Sequence, residues 1–348
     1  MSTSDQWNPR CPPPRDLVRP VPIDPDGVRG PTRGQAAGPR WRRTSQGLYV
    51  PATVSDQRPE QRILEASMQL RPDGALTGWP ALRLAGGNYF DGLLPDGRTR
   101  RPVPMTIGPG HGRRSRDGIV WRQDRLDPAE VVLLEGIRCT RVDRALFDEM
   151  REAEVREAVV AVDMAAAAGQ ITIAHMNLYA DAHPGWAGVD QVRRALPLAS
   201  EDSRSPNETR SRLIWQLDAG LPRPGVNQPV WDLRGGLLGY ADLLDEEAGM
   251  VGEFDGAAHR KARRHTNDVR REERFRRAGL EYVKITGLDL LDPQVVVERL
   301  LSTRGRALRN AVRPTWTTVA PPDWREDPSP ADREVLHELW RGWERGTG

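Results

Sequence analysis

The chain has 348 residues, 29% of them charged and 38% hydrophobic, and its mean hydropathy is -0.62. At roughly 150 residues per domain, this length predicts two domains or slightly more. No apolar run approaches the roughly 18 residues that a membrane span needs, and residues 1–19 lack the apolar core of a secretory signal. We therefore expect a cytoplasmic protein that has no membrane partner.

The cysteines and the charges narrow the classes of function. Two cysteines, Cys11 and Cys139, are too few for a disulfide framework or a cysteine-based zinc site. The formal net charge of +2 does not by itself indicate a nucleic-acid partner, so local clusters of charge matter more. Lysine occurs only at Lys261 and Lys284, and arginine supplies the remaining positive charge.

The first half of the chain predicts an extended segment followed by a folded domain. Residues 1–29 are rich in proline and glycine and are expected to be disordered or extended. Residues 30–198 are expected to form an α+β domain. Within it, residues 41–50 predict two strands joined by a glycine turn, which after a short helix suggests a reduced winged helix. Arg42 and Arg43 would then contact DNA phosphates, or they belong to a basic surface hairpin without that role.

Hydrophobic periodicity predicts the other elements of this first domain. The expected helices cover residues 59–70, 79–84, 140–148, 154–168, 171–179 and 188–198, and the expected strands cover residues 103–107, 118–122 and 136–139.

A short polar stretch, residues 199–205, marks the expected domain boundary. Ser205 suits the cap of the following helix and Pro206 suits its first turn. Glu208 falls three residues after the cap, which is the spacing of a capping box. Gly220 would end this helix.

The second domain, residues 206–308, is predicted to have the order helix, three strands, helix, strand and helix. After the first helix, the strands and helices are expected at residues 226–233, 237–256 (a hairpin), 259–278, 281–286 and 294–308. The remaining residues, 309–348, are rich in tryptophan and proline and form a C-terminal tail that would end in a short helix at 332–344.

An acidic hairpin, residues 237–256, is the most informative part of this domain. Folding it symmetrically about its Glu-Glu-Ala-Gly turn sets Asp242 opposite Glu253 and puts Asp255 on the same face as Glu253. Carboxylates gathered this closely repel one another unless a cation lies among them, and Mg²⁺ prefers such oxygen ligands. The alternative is a hairpin whose acidic side chains lie in water.

The second domain resembles the very-short-patch-repair-like branch of the PD-(D/E)xK nuclease superfamily. The residues that carry the resemblance are Ser205-Pro206-Asn207-Glu208, Ala241-Asp242-Leu243-Leu244-Asp245, Gly252-Glu253-Phe254-Asp255-Gly256-Ala257-Ala258-His259, Asp268-Val269-Arg270-Arg271-Glu272 and Gly279-Leu280-Glu281-Tyr282-Val283. The resemblance implies a restriction-endonuclease-like αβββαβ core that hydrolyses DNA phosphodiester bonds with Mg²⁺ or Mn²⁺.

The same resemblance implies roles for individual residues. Asp242, Glu253 and Asp255 would hold the metal, and Glu208 would hold a water beside it or serve only as the capping-box carboxylate. Asp255 stands where the superfamily usually has a lysine. A basic group would then come from another element, and His259 at the start of the following helix is the preferred candidate. A histidine in that position is otherwise an ordinary surface residue.

Further candidates for this basic group are Lys261, Arg270 and Lys284. The helix after the hairpin also carries residues that would contact the DNA backbone, namely Arg260, Lys261, Arg263, Arg264 and Arg270. The alternative is a solvated helix face whose charges form ion pairs within the helix.

Residues 30–198 resemble the AbiE-type antitoxin of type IV toxin–antitoxin systems. The resemblance is carried by Trp41-Arg42-Arg43, Gly47-Leu48-Tyr49-Val50, Gly78-Trp79-Pro80-Ala81-Leu82 and the stretch from Thr140 to Asp148. It implies DNA and a cognate toxin protein as partners. The sequence thus predicts a metal-dependent DNA endonuclease. The alternatives are a catalytically inactive, nucleic-acid-binding regulator of antitoxin type and a protein-interaction module without nucleic-acid affinity.

Overall fold

A computed structural model describes residues 10, 16–110, 118–255, 262–310 and 314–322, with only the backbone described over 262–269. The chain divides between Pro197 and Leu198 into two compact units. Both units mix helices with sheets, so the α+β class expected from the sequence is confirmed. Among the described helices, none is both long enough and apolar enough to cross a bilayer.

The first unit, residues 10–197, contains two sheets. Its strands are β1 (Val21–Pro22), β2 (Trp41–Ser45), β3 (Leu48–Pro51), β4 (Ala75–Leu76), β5 (Val103–Thr106), β6 (Ile119–Arg122), β7 (Val131–Leu134) and β8 (Ile137–Thr140). Strands β1, β3 and β2 form a small antiparallel sheet, and the order of the second sheet is β6-β5-β4-β8-β7. The sequence did not predict β7, because a run of four apolar residues has no periodicity that identifies a strand.

The described part of the first unit also contains helices. They are α1 (Arg33–Ala36), α2 (Pro59–Ser67), α3 (Trp79–Leu84), α4 (Val142–Glu152), α5 (Val155–Ala167), α6 (Ile173–Ala182) and α7 (Val189–Ala195). Each lies in or near a segment predicted to be helical, and α3 has the predicted bounds. Thr32 caps α1, which has only four residues and precedes the β2–β3 hairpin as expected.

A buried network of charged side chains is centred on α4. The carboxylate of Asp148 is fully buried and accepts hydrogen bonds from Thr77 Oγ1 at 2.6 Å and Arg144 Nε at 3.0 Å. Arg151 contacts the other oxygen of Asp148 at 3.0 Å, and Arg144 also reaches Glu130 at 3.3 Å. Two arginines therefore compensate one buried carboxylate, which removes the cost of an isolated charge in the core.

The second unit follows the predicted order of elements. It contains α8 (Pro206–Leu213), a π-helical turn (Ile214–Asp218), β9 (Gly225–Asp232), β10 (Leu237–Asp245), β11 (Met250–Asp255), α9 (Ala262–Arg277), β12 (Glu281–Thr286), α10 (Pro293–Arg309) and β13 (Trp316–Thr317). The first predicted helix is thus shorter than expected and ends in the π-helical turn. The predicted tail also supplies an edge strand, β13, whereas the helix expected at 332–344 lies outside the described residues.

The sheet of the second unit has the order β12-β11-β10-β9-β13. Strands β11 and β12 are parallel and are connected by way of α9, whereas the other pairs are antiparallel. Both faces of the sheet are covered. On one face, a buried cluster includes Leu243, Met250 and Val283 of the strands with Trp215 and Leu300 from outside the sheet. On the other, a second cluster includes Val230, Leu244 and Val251 of the strands with Phe275 and Leu280.

We expect Asp148→Ala to lower the free energy of unfolding of the first unit by about 3–5 kcal/mol, because it leaves two arginines buried without their shared carboxylate. Urea denaturation of the full chain would measure this change. Asp181→Ala is the matched control, since Asp181 is 72% exposed and pairs loosely with Arg193 at 3.6 Å. Its effect should stay within about 0.5 kcal/mol. Equal losses in the two variants would contradict the role assigned to the buried network.

Candidate functional site

Asp242 and Glu253 lie opposite each other on neighbouring strands. The β10–β11 register pairs Leu243 with Gly252, so the next pair along the ladder is Asp242 with Glu253, as the hairpin pattern predicts. Asp242 Oδ2 accepts a hydrogen bond from the backbone N–H of Phe254 at 2.9 Å, which fixes its carboxylate beside β11.

The same row continues across the sheet in both directions. The β9–β10 register sets Asn227 opposite Asp242, and the parallel β11–β12 register pairs Glu253 with Lys284. Asp255 ends β11 two residues after Glu253, so the two residues share a face of the sheet. The row across four adjacent strands therefore consists of Asn227, Asp242, Glu253 and Lys284.

Glu208 joins this row from α8. Ser205 caps the helix by accepting the N–H of Glu208 at 3.2 Å. The carboxylate of Glu208 accepts hydrogen bonds from the N–H of Arg204 at 3.0 Å and from Asn227 Nδ2 at 2.9 Å. The carboxylate thus contacts the residue before the cap rather than the cap itself, and Asn227 ties it to the sheet.

The charges of Glu208 and Glu253 act on the carboxylate of Asp242. Burial raises the pKa of Asp242 well above its ordinary value, and the nearby charges of Glu208 and Glu253 raise it further. The N–H of Phe254 and the charge of Arg271 act in the opposite direction but do not cancel these effects. Negative charges near a buried carboxylate favour its protonated form, because repulsion is poorly screened there.

Arg271 compensates the charge of Glu253. Its Nη2 donates to Glu253 Oε2 in a close ion pair, and only 6% of the Glu253 side chain is exposed. Burial by itself would lower the pKa of Arg271, but Glu253 and then Asp242 raise it overall. Tyr282 packs on the same carboxylate, and its burial together with its hydrogen bond to Glu253 raises its pKa.

Close packing of α9 against β10 brings Arg271 to this position. Phe275, four residues later on the helix, is completely buried in the sheet-facing core, so Arg271 faces the same way. Gly239 has a φ of +155°, and a Cβ atom there would lie 3.0 Å from Arg271 Cγ. The sequence analysis did not propose Arg271 or Asn227 for this site. The four-residue spacing of Arg271 from the apolar Phe275 could have identified Arg271, whereas no pattern near Asn227 points to it.

The other basic candidates have different environments. Lys284 Nζ forms an ion pair with Glu272 at 2.6 Å, and Arg270 is exposed on α9. Two further arginines of α9, Arg276 and Arg277, form ion pairs within the helix. The structure does not describe His259, Arg260 and Lys261, nor the side chains of Arg263 and Arg264.

The proposed DNA contacts of the first unit are already engaged in that unit. Arg42 forms two hydrogen bonds to Glu65, at 2.6 and 2.9 Å, and one to the carbonyl of Val54 at 3.2 Å. Arg43 Nε donates to the carbonyl of Ser45 at 3.0 Å. Arg42 thus holds the β2–β3 hairpin against α2, while Arg43 stays at the surface.

The donor chemistry of the acidic site suits a hard divalent cation, because Glu208, Asp242 and Glu253 all offer carboxylate oxygens. In the part of the chain that the structure describes, no three His, Cys, Asp or Glu side chains are grouped as ligands of one ion. The guanidinium of Arg271 instead provides the positive charge beside Glu253. What these residues can do chemically is concentrate negative charge and present it beside one arginine.

We expect Asp242→Asn to raise the free energy of unfolding at about pH 8, by on the order of 1 kcal/mol or more, and to change it little at about pH 4. The folded-state pKa of Asp242 lies above its unfolded value, so the wild type loses stability as pH rises through that interval. Asparagine keeps an oxygen that accepts the N–H of Phe254. Urea titrations in a chelating buffer measure the difference.

Asp232→Asn is the matched control for this experiment. Hydrogen bonds from the backbone N–H groups of Gly236 and Arg234 lower the pKa of Asp232, so its charged form contributes stability above the unfolded pKa. The control should therefore gain no stability at about pH 8. A loss of stability in Asp242→Asn at that pH would contradict the charge repulsion described here.

Comparison with known proteins assigns no family to the chain: no protein-family model, no curated protein and no solved structure matches it.

Proposed function

We propose that the second unit is a metal-dependent endonuclease-like domain that hydrolyses DNA phosphodiester bonds. The observation that carries the proposal is geometric: Asp242 lies beside Glu253 on β11 and beside Asn227 on β9, and Asn227 binds the carboxylate of Glu208 from α8. The order of α8, three strands, α9 and β12 supports a restriction-endonuclease-like αβββαβ core. That core places catalytic carboxylates on adjacent central strands.

In this proposal Asp242 and Glu253, with Asp255 beside them, hold Mg²⁺ or Mn²⁺. The metal, when bound, would neutralise phosphate charge and lower the pKa of a water. Phe254 N–H keeps the carboxylate of Asp242 in place. Glu208, oriented by Asn227, would accept a proton from a water in the site. Asp242 with its raised pKa is the carboxylate that gains most from a bound cation.

Arg271 takes a double role in this scheme. It brings to the site a positive charge that an acid at Asp255 does not supply, and such a charge stabilises a phosphate that gains negative charge during cleavage. Its ion pair with Glu253 also keeps the site assembled without a metal. Glu253 must exchange this contact, at least in part, when it binds a cation.

DNA would contact the surface next to the acidic site. Arg270 is exposed on α9, and the proposal extends this surface to Arg260, Lys261, Arg263 and Arg264, with His259 next to Asp255. Phosphate contacts of this kind give affinity without sequence preference and weaken with salt. For the first unit we propose an antitoxin-like role, in which Arg43 touches DNA and a toxin protein is the partner.

The second candidate function is a nucleic-acid-binding regulator whose nuclease fold has no activity. Two observations favour it: Arg271 already compensates Glu253, and position 255 carries an acid. An acidic site that is neutralised by the protein itself can persist without any metal. The regulator would retain the basic surface and its salt-dependent binding of DNA.

We expect the full chain to nick plasmid DNA with Mg²⁺ or Mn²⁺, and Asp242→Ala/Glu253→Ala to reduce the rate at least about a hundredfold, because both proposed metal ligands are lost. Gel analysis of plasmid and short duplexes measures this. The charge-matched control is Glu246→Ala/Glu247→Ala, whose side chains are exposed on the turn of the same hairpin. Cleavage should continue unchanged in the control.

Equal cleavage by the wild type and the Asp242/Glu253 double variant would contradict the assignment of the active site to these residues. Intact DNA together with strong, salt-dependent binding of the duplex would select the inactive regulator. Intact DNA and no retention on a DNA column at low salt would leave a protein-interaction module.

A second variant tests the metal without reference to activity. Arg271→Ala leaves the buried Glu253 uncompensated, so we expect a loss of about 1–3 kcal/mol in the free energy of unfolding. Millimolar Mg²⁺ or Mn²⁺ should restore most of this loss, since the ion replaces the guanidinium. Thermal unfolding with and without metal measures both effects.

Arg277→Ala is the control for this variant, because Arg277 is exposed and pairs with Glu273 within the same helix. It should lose little stability and respond to metal as the wild type does. If added metal leaves the unfolding temperature of Arg271→Ala unchanged, the carboxylates do not form a metal site.

A further inference from the structure

The first unit contains a cavity that the proposed nuclease chemistry does not use. Its volume is about 580 Å³, and its lining includes Arg125, Asp127, Arg141, Tyr179, His183 and Trp186. These residues come from the segment before β7, the start of α4, and the end of α6 with the loop after it. Clefts that hold small molecules have volumes of roughly 300–1,000 Å³, so a ligand of that size fits.

One wall of the cavity is aromatic. The ring of His183 lies between Tyr179, at a centroid distance of 4.4 Å, and Trp186, at 3.9 Å. His183 Nδ1 donates to the carbonyl of Tyr179 at 2.7 Å, which fixes the ring. Phe147 packs edge-on behind Trp186 at 5.3 Å. The wall is therefore built before any ligand arrives.

The buried charges of the first unit support this wall from behind. Arg144, whose side chain is only 2% exposed, places its guanidinium 4.3 Å from the centre of the Trp186 ring. Glu130 contacts Arg144 and accepts the hydroxyl of Tyr179 at 2.6 Å. Polar groups that are fixed in this way reduce the ordering cost of binding.

The rim of the cavity presents hydrogen-bond donors that the protein leaves available. Within the described residues, the exposed guanidinium of Arg125 has no partner, and Arg141 reaches only Asp143, at 3.7 Å. The carboxylate of Asp143 is already engaged by the N–H of Arg144 and by His175. The cavity thus offers two guanidinium groups to an anion, which they can bind through paired N–H groups.

The rim also offers one acceptor. Asp127 lines the cavity, and its carboxylate accepts the N–H of Ala129 at 2.9 Å as part of a capping box with Glu130. A carboxylate has more acceptor positions than these contacts use. A ligand that combines an anionic group, hydroxyl donors and a flat apolar ring matches these three features together. An inorganic anion would use the arginines and leave the aromatic wall without a contact.

We propose that this cavity binds a nucleotide. The phosphate contacts Arg125 and Arg141, a ribose hydroxyl donates to Asp127, and the base lies against the wall of Tyr179, His183 and Trp186. The site belongs to the first unit alone and requires neither metal nor cleavage of DNA, so it stands independently of the nuclease proposal.

Isothermal titration calorimetry of the full chain with AMP, GMP, CMP and UMP tests the proposal, with inorganic phosphate as a comparison. Arg125→Ala/Arg141→Ala should lower the affinity for the tightest-binding of these nucleotides at least tenfold. The matched control is Arg29→Ala/Arg98→Ala, which removes the same charge from exposed positions of the same unit. Circular dichroism and thermal unfolding verify that all variants fold.

Saturation-transfer NMR adds a test of the aromatic wall, since protons of the base should receive more magnetisation than those of the ribose. The proposal is overturned if no nucleotide binds the wild type at millimolar concentration, or if both double variants bind equally well. Inorganic phosphate that binds as tightly as the nucleotides would also overturn it, because the wall would then contribute nothing.

Discussion

The ion pair between Arg271 and Glu253 is the contact on which the second unit depends. Asp242 and Glu253 face each other on adjacent strands, and Glu208 joins them from α8, so three carboxylates share a poorly solvated place. Such a group would oppose folding unless positive charge lay beside it. Arg271 supplies that charge from the sheet-facing side of α9, and Gly239 leaves space for its side chain. This contact therefore stabilises the acidic residues of β10 and β11 in their positions on the sheet.

In the first unit, a buried carboxylate is likewise compensated by positive charge, here from two arginines. Asp148 is buried between Arg144 and Arg151. Arg144 also contacts Glu130, which accepts the hydroxyl of Tyr179 in the aromatic wall of the cavity. Buried charges that have partners cost less than isolated ones, and their contacts hold neighbouring side chains in place. In both units, buried acids with arginine partners therefore hold the residues that carry our functional proposals. Arginine suits this use because its planar group makes several hydrogen bonds at once.

Much of this arrangement follows from local patterns in the sequence. Folding the hairpin symmetrically about its Glu-Glu-Ala-Gly turn predicts that Asp242 lies opposite Glu253, and the strand register agrees. The cap at Ser205 likewise predicts the helix that carries Glu208. The partner of Glu208 was predicted less well, because its carboxylate contacts Asn227, which lies on another strand. Similarly, the tryptophan- and proline-rich composition of residues 309–348 suggested a tail, yet Trp316 and Thr317 pair with β9 as an edge strand.

The sequence by itself determined the α+β class, the order of elements in the second unit and the facing pair of acids, because these depend on hydrophobic patterns within segments and on the position of one turn. Only the tertiary structure decided which basic group meets those acids. The sequence proposed His259 first and then Lys261, Arg270 and Lys284. Of the two whose side chains the structure describes, Lys284 pairs with Glu272 and Arg270 is exposed. Arg271 reaches Glu253 because α9 packs on the sheet through Phe275, and that packing joins residues far apart along the chain. The cavity of the first unit has the same origin, since three separate segments form its lining.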